Sequence, residues 1–340
     1  MIKHSFFAAA SLAVLLACHS MPAHAETTTL WVNGVSEESG WYDANKENPR
    51  AEDADNNLCF AASAANLVAW WQSQYVVDAA TPNTIDAIWA TYKNAAVADE
   101  GGDTHGAVQW WISGVYMATT AEERARTIFG LYSTSTLASF DGYYFEQYEL
   151  EQYSRRVRMA GESGYPQWVD YPYALSDFLC ADLRGDATAS SLIAAIQQGC
   201  GVGISIASYG YVEQEDGTQE WARTLSHAIT LWGVEYDESG DIIGLWLTDS
   251  DDAQYGYNTE QGLFHVDTYT TDAGLVYFDK SKDANWYTNN TYYEEIYIDG
   301  IFAIDPAVSN AWGLTLIPEP ATVTLSLTAL VALAIRRRRA

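Results

Sequence analysis

Positive charge is scarce in this chain: 17 Lys and Arg stand against 45 Asp and Glu, a net charge of −28 at pH 7 over 340 residues. A surface so acidic repels nucleic acid and anionic membranes, and it draws in cationic partners. No repeat or low-complexity tract interrupts the chain, so its length suits one large domain or two small ones, with a core able to shield a site from water. Histidine is also sparse, and beyond residue 25 only His105, His227 and His265 remain. Any imidazole base in the mature chain comes from these three. Cysteine is as rare, with Cys59, Cys180 and Cys200 beyond the leader.

The leader itself, residues 1–25, carries Lys3, an apolar stretch from Phe6 to Ala17, and the small-x-small pattern Ala23-His24-Ala25. That is the layout of an export signal peptide cut after Ala25. Leu15-Leu16-Ala17-Cys18 also resembles a lipobox, which would move the cut to Cys18. At the other end Pro318-Glu319-Pro320 precedes an apolar run from Ala321 to Ile335 and the arginines Arg336 to Arg339. Residues 316–340 thus resemble a PEP-CTERM sorting signal. A run of 15 apolar residues falls short of the about 20 that a spanning helix needs. It suits a transient anchor that a C-terminal sorting enzyme removes, with a permanent membrane anchor as the alternative and the arginines on the cytoplasmic side. The expected organisation is signal peptide 1–25, one main domain over 26–310, and the sorting signal. The expected location is the cell surface or the extracellular space.

Export permits disulfides, and an odd number of mature cysteines leaves one thiol over. Cys180 and Cys200 lie around a predicted helix and are expected to pair, leaving Cys59 free. Three unpaired buried cysteines are the alternative, because spacing alone does not bring two Cα atoms within bonding range.

From Cys59 to Trp71 the chain is rich in alanine and free of Gly and Pro, which predicts a buried helix. Asn56-Asn57 supplies cap-type residues and places Cys59 at the helix start. Further helices are predicted near 84–94, 107–111, 121–128 and 190–198. From Gly201 the pattern changes to strands: Val202 to Ile206, Ser226 to Val234, and Ile242 to Thr248, with Asp237 to Asp241 as a hairpin turn. Strands are also predicted over 262–267, 275–278, 292–298 and 300–304. Helices first and an antiparallel sheet afterwards define an α+β class. The pairs Trp70-Trp71 and Trp110-Trp111 read as core.

A thiol is a nucleophile only as thiolate, and a helix start or a cation lowers its pKa. Cys59 has the helix. His227 is placed at the start of a strand, where it can project from a sheet rim, while His105 sits in a loop that can border a cleft instead. His265, between apolar neighbours, reads as structural. Asp249, at the end of the strand after the hairpin, would fix the imidazole tautomer and stabilise the imidazolium. Alternation puts Asp251 on the same side if the segment stays extended. A solvated turn or a calcium loop are the other readings of Asp249-Ser250-Asp251-Asp252.

Four blocks in order carry a resemblance: Gly40 to Lys46, Asn57 to Asn66 with Trp70-Trp71, Ser226 to Gly233, and Thr248 to Asp251. Together they resemble the IdeS/Mac family of secreted cysteine endopeptidases that cleave immunoglobulin G. The resemblance implies a papain-like fold, Cys59 as nucleophile, His227 as base, Asp249 as orienting acid and Asp251 as a supporting acid. It implies Lys46 as a donor to the oxyanion, beside the Cys59 N–H. Papain's glutamine six residues before its cysteine is Asp53 here, which cannot donate when ionised. The family's glycine after the cysteine is Phe60, and the Lys46 to Cys59 interval is long and acidic. No cofactor or metal is expected, and the partner is a protein substrate, immunoglobulin by resemblance. The other classes this residue set admits are a papain-like amidase or transglutaminase acting on cell-wall peptides, and an inactive surface binding protein.

Overall fold

The predicted helix after Cys59 forms as α1 (Cys59–Ser73), in which every residue from Phe60 to Gln72 is buried. A helix apolar on all sides belongs inside a core, and α1 is wrapped accordingly. On it pack α2 (Ile85–Ala95), capped by Thr84 Oγ1 accepting from the Ala87 N–H, and α3 (Thr104–Ser113). Trp70, Trp71, Trp110 and Trp111 fill the seam as core residues, with Tyr92 lying against both Trp110 and Trp111. A fourth helix, α4 (Ala189–Gln197), starts at a Thr188 cap and leads into the sheet. The computed structural model describes residues 27–46, 55, 57–96, 101–113, 137–138, 142–144, 156–160, 166–170, 179–182, 187–213, 217–251, 262–279, 281, 295–304 and 315–316. The leader, the helix predicted near 121–128, the 47–54 segment and the tail from 317 lie outside these residues. Among the described residues no helix is long and apolar enough to cross a membrane.

Strands β1 (Thr28–Trp31), β2 (Tyr75–Val76), β3 (Arg156–Ala160), β4 (Pro166–Asp170) and β5 (Leu179–Asp182) precede the main sheet in sequence. The main sheet is built from β6 (Gly201–Glu213), β7 (Gln219–Tyr236), β8 (Ile242–Thr248), β9 (Phe264–Thr270), β10 (Val276–Phe278) and β11 (Tyr297–Ile304). These six pair antiparallel around a closed ring, β6 to β7 to β8 to β9 to β10 to β11 and back to β6. Strand β1 joins the edge of β7 and β5 the edge of β11, while β12 (Thr315–Leu316) pairs with β2 and β3 with β4. Side chains alternate along each strand: Val202, Ile204 and Ile206 are core on one face, and on the other face Gly201 and Gly203 make room for α1. A Cβ on Gly201 would stand 2.5 Å from the Trp70 ring, so this glycine is what lets helix and sheet touch. The mixture of helices and antiparallel sheet is the α+β class expected.

Three local expectations are corrected. His227 lies in the middle of β7, because the strand begins at Gln219, directly after the turn at Gly217 (φ +79°). His105 is helical, the second residue of α3. The two strands predicted either side of Asp299 are one strand, β11, with a register shift between Ile298 and Gly300.

Cys200 is disulfide-bonded and Cys59 is a free thiol. The Cys180 side chain lies outside the described set. Non-reducing peptide mapping of the mature protein is expected to recover a Cys180–Cys200 cross-linked pair and a single alkylated thiol at Cys59. Three alkylated cysteines would refute the bridge.

Candidate active site

Cys59 is the first residue of α1, and its N-cap is Leu58 (φ −91°, ψ 17°), which has no side-chain cap bond. Asn57, expected to cap, falls one position outside. The helix start is organised by the main chain instead: the Leu58 carbonyl accepts from the N–H groups of Ala61 and Ala62 at 3.0 and 2.9 Å. The positive end of the helix therefore faces the sulfur, which favours thiolate.

His227 stands opposite Ile206 in the β6–β7 ladder and is buried. Its Nε2–H donates to Asp249 Oδ1 at 2.7 Å. The ring also hydrogen-bonds Cys59, and with Nε2 held by the carboxylate, Nδ1 is the nitrogen left for sulfur. Asp249 follows directly on β8, whose Thr248 pairs with Thr230 of β7, so the hairpin carries the acid to the imidazole. The chain then turns rather than staying extended. The Asp251 N–H donates back to Asp249 Oδ1 at 3.0 Å, and the turn swings Asp251 Oδ2 to 3.8 Å from His227 Nε2. Asp251 Oδ1 meets Lys46 Nζ at 2.5 Å, and the Lys46 N–H donates to the Ser250 carbonyl at 2.9 Å. Lys46 is buried, not a surface lysine.

The electrostatics follow from this layout. Burial would push the Cys59 thiol up, but the His227 charge and hydrogen bond, the Lys46 ammonium and the Ala228 N–H outweigh it and hold the thiol below its ordinary value. Burial would lower His227, yet Asp249, Asp251 and the Cys59 thiolate raise it well above the usual imidazole range. Both shifts run in the direction that favours thiolate with imidazolium. Lys46 is raised in the same way: Asp251 and Cys59 overcome its burial. Asp251 is raised by burial and by Asp249, against the pull of His227 and Lys46.

A buried polar clamp fixes these groups to one another. Asn66 Oδ1 accepts from the Ala44 N–H at 2.8 Å, and its Nδ2 donates to Thr230 Oγ1 at 3.1 Å and Thr248 Oγ1 at 3.4 Å. Thr248 Oγ1 also accepts from Trp232 Nε1 at 2.8 Å and donates to the Tyr42 carbonyl at 2.9 Å. Ser63 Oγ donates to the Ile229 carbonyl at 3.2 Å. One helix, two strands and the 41–46 loop are thereby locked in a single register.

Beside the sulfur opens a cleft of about 290 Å³. One wall is the start of α3, Gly102 to His105, and the other is built by β6, β7 and β11. His105 borders this cleft and stacks on Phe302 at 5.5 Å; His227 lines it as well, and of the two it is the one hydrogen-bonded to Cys59. His265 packs edge-on to Trp246 at 4.9 Å and lies 3.4 Å from Glu235, a structural role as expected. The sequence reading missed Arg223 and Asp299, which line the cleft as an ion pair at 2.6 Å. It also missed the Ser63–Asn66 clamp, for which the signal was two polar residues spaced i, i+3 on an otherwise apolar helix. Ligand atoms of His227, Asp249 and Asp251 lie within 4.8 Å of one another. A cation bound there would have to displace the Lys46 ammonium from Asp251 and the imidazole from Asp249, so this donor set is already neutralised from within.

Fold and site together define a helix-borne thiolate held against a sheet-borne imidazole and carboxylate in an α+β protein. The Mac 1 family matches the chain over residues 25–81 and 217–273; the first block contains Lys46, Cys59 and Asn66, and the second His227, Asp249 and Asp251. The chain is also similar to the IgM protease of Streptococcus suis (strain P1/7), 22% identical over 220 residues. That match covers 63% of this chain and 18% of the relative, so the chain corresponds to under a fifth of that protein's length.

Proposed function

We propose that the protein is an exported cysteine endopeptidase of papain-like arrangement that hydrolyses peptide bonds in a protein substrate, with immunoglobulin as the substrate class. The observation that carries this reading is the hydrogen-bonded row Cys59, His227, Asp249 at the mouth of an open cleft. The name of the IgM protease supports the substrate class.

In this mechanism the Cys59 thiolate attacks the scissile carbonyl carbon. The oxyanion that forms takes a hydrogen bond from the Cys59 N–H, one of the first-turn donors without an intrahelical acceptor. Lys46 is assigned the second role at the oxyanion; in the resting site its ammonium rests on Asp251 and its charge holds the sulfur ionised. The tetrahedral intermediate collapses as the His227 imidazolium gives its proton to the leaving amine, which leaves a thioester on Cys59. Neutral His227 then takes a proton from water as its oxygen attacks the thioester carbonyl, and the C–S bond breaks to release the acid product and return the Cys59 thiolate beside imidazolium. Asp249 keeps one tautomer throughout, and Asp251 holds Lys46.

Incubating the mature domain with IgG, IgM, an unfolded generic protein and peptidoglycan, followed by mass spectrometry of products, tests this reading. Cleavage of an immunoglobulin chain is expected from the native protein and none above background from Cys59→Ala. Equal activity from the variant would sink the mechanism, and cleavage of peptidoglycan alone would move the assignment to a cell-wall amidase.

A further inference from the structure

Four tyrosines cross the outer face of the strand ring in one row: Tyr209 on β6, Tyr297 on β11, Tyr277 on β10 and Tyr269 on β9. Neighbouring rings are stacked, with centroids 6.2, 5.1 and 5.4 Å apart and interplanar angles of 22°, 30° and 16°. Cross-strand register explains the row, since Tyr277 pairs directly with both Tyr297 and Tyr269. The row is open to solvent at its ends: Tyr269 is 43% exposed, and Tyr211, two residues beyond Tyr209 on the same face of β6, is 69% exposed. Its rim is acidic. The Glu295 carboxylate acts on Tyr269 and Tyr277, and Asp279 on Tyr269.

The row continues the cleft. Ser205 lines the cleft on the same face of β6 as Tyr209, four residues away, about 13 Å at the rise of a strand. On β11 Asp299 lines the cleft two residues from Tyr297 and sits at the register shift, where a bulge re-aims a side chain. The basic group at this junction, Arg223, is neutralised by Asp299. A peptide leaving the cleft along β6 and β11 therefore passes onto aromatic rings, hydroxyls and carboxylates.

We infer that this tyrosine row is a docking strip for an arginine- or lysine-bearing segment of the protein substrate adjacent to the bond cleaved. Guanidinium and ammonium groups are attracted to tyrosine rings and carboxylates alike. A second copy of a chain with net charge −28 brings the wrong sign of charge to the same face. The inference rests on the protease reading for the identity of the segment, and its binding step does not need catalysis.

The test uses full-length mature Cys59→Ala protein and a fluorescein-labelled peptide of alternating arginine and glycine, read by anisotropy. Glu295 is exposed, so Glu295→Lys keeps the fold, and Glu38→Lys, in the loop after β1, makes the same change in net charge away from the row. Glu295→Lys is expected to weaken binding at least about fivefold and Glu38→Lys less than about twofold, with the difference vanishing near about 0.5 M salt. In the active protein Glu295→Lys is expected to raise KM for a cationic protein substrate and to leave a reporter peptide short enough to fill only the cleft unchanged. Equal weakening by both variants, or by neither, overturns the strip even if the protein proves to be a protease. A dimer that Glu295→Lys dissolves would give the face to a second copy, and tighter binding of a neutral oligosaccharide than of the arginine peptide would give it to a glycan; either overturns the inference. Loss of all proteolysis with the binding difference intact would overturn the protease reading and leave the strip standing.

Discussion

Replacing His227 with alanine is expected to lower kcat/KM on a protein substrate by about three to four orders of magnitude, the loss typical when one member of a catalytic set is removed. It removes the proton donor for the leaving group, and it also removes the charge that ionises the nucleophile. The two losses separate by pH. In the native protein Cys59 is deprotonated above its lowered pKa and His227 is protonated below its raised one. The active ion pair therefore occupies a window that opens on the acid side as Cys59 ionises and closes on the alkaline side as His227 loses its proton. Alkylation of Cys59 by iodoacetamide should set in at lower pH in the native protein than for an isolated thiol of pKa about 8.5. In His227→Ala the Lys46 charge and the helix end remain, so the alkylation profile should move up in pH without reaching that of an unfolded chain. An unchanged profile would mean that His227 does not ionise the sulfur.

The second large effect concerns stability. Asn66→Ala is expected to destabilise the fold by about 2–4 kcal/mol, because it takes the side-chain acceptor from the buried Ala44 N–H and one of the hydrogen bonds from each of the hydroxyls of Thr230 and Thr248, which keep Ser63 and the Trp232 and Tyr42 contacts. For a domain of this size that is a fall in Tm of about 5–10 °C, measurable by calorimetry. Activity should drop beyond what stability explains, since Asn66 joins the helix of Cys59 to the strands of His227 and Asp249 and to the loop of Lys46. Asn66→Asp should restore neither property, as a carboxylate accepts from Ala44 but cannot donate to the threonines. A variant with unchanged Tm and activity would show the clamp to be incidental.

Much of this arrangement is legible in the residues, and the rest is hidden for physical reasons. Helix α1 announces itself because alanine without glycine or proline has little alternative, and β8 because Ile242 to Thr248 is a short apolar run between turn residues. The start of β7 was misplaced because Gln219 to Thr224 is polar, and only the partner strand β6 makes it extended. Asn57 has the composition of a cap, but composition does not fix helix phase to one residue, and Leu58 takes the position. Short strands such as β1 and β2 are assigned by their partners, Val234 and Leu316 among them, which lie far along the chain. The candidate trio Cys59, His227 and Asp249 is proposed from the four resembling blocks, and the structure brings its three side chains together. Its supports were not legible, because Ser63, Asn66, Thr230 and Thr248 are common polar residues whose value comes only from meeting.

Those meetings join residues separated by 164 and 182 positions, from Asn66 to Thr230 and to Thr248. During synthesis the thiol emerges long before the imidazole and carboxylate that ionise it, and contacts so distant in sequence form late in folding. A nascent chain thus carries an ordinary, weakly nucleophilic cysteine until the ring of strands has closed. The topology thus ties the ionisation of the sulfur to the completion of the sheet, since the helix that carries Cys59 is joined to His227 and Asp249 only by contacts that span half the chain.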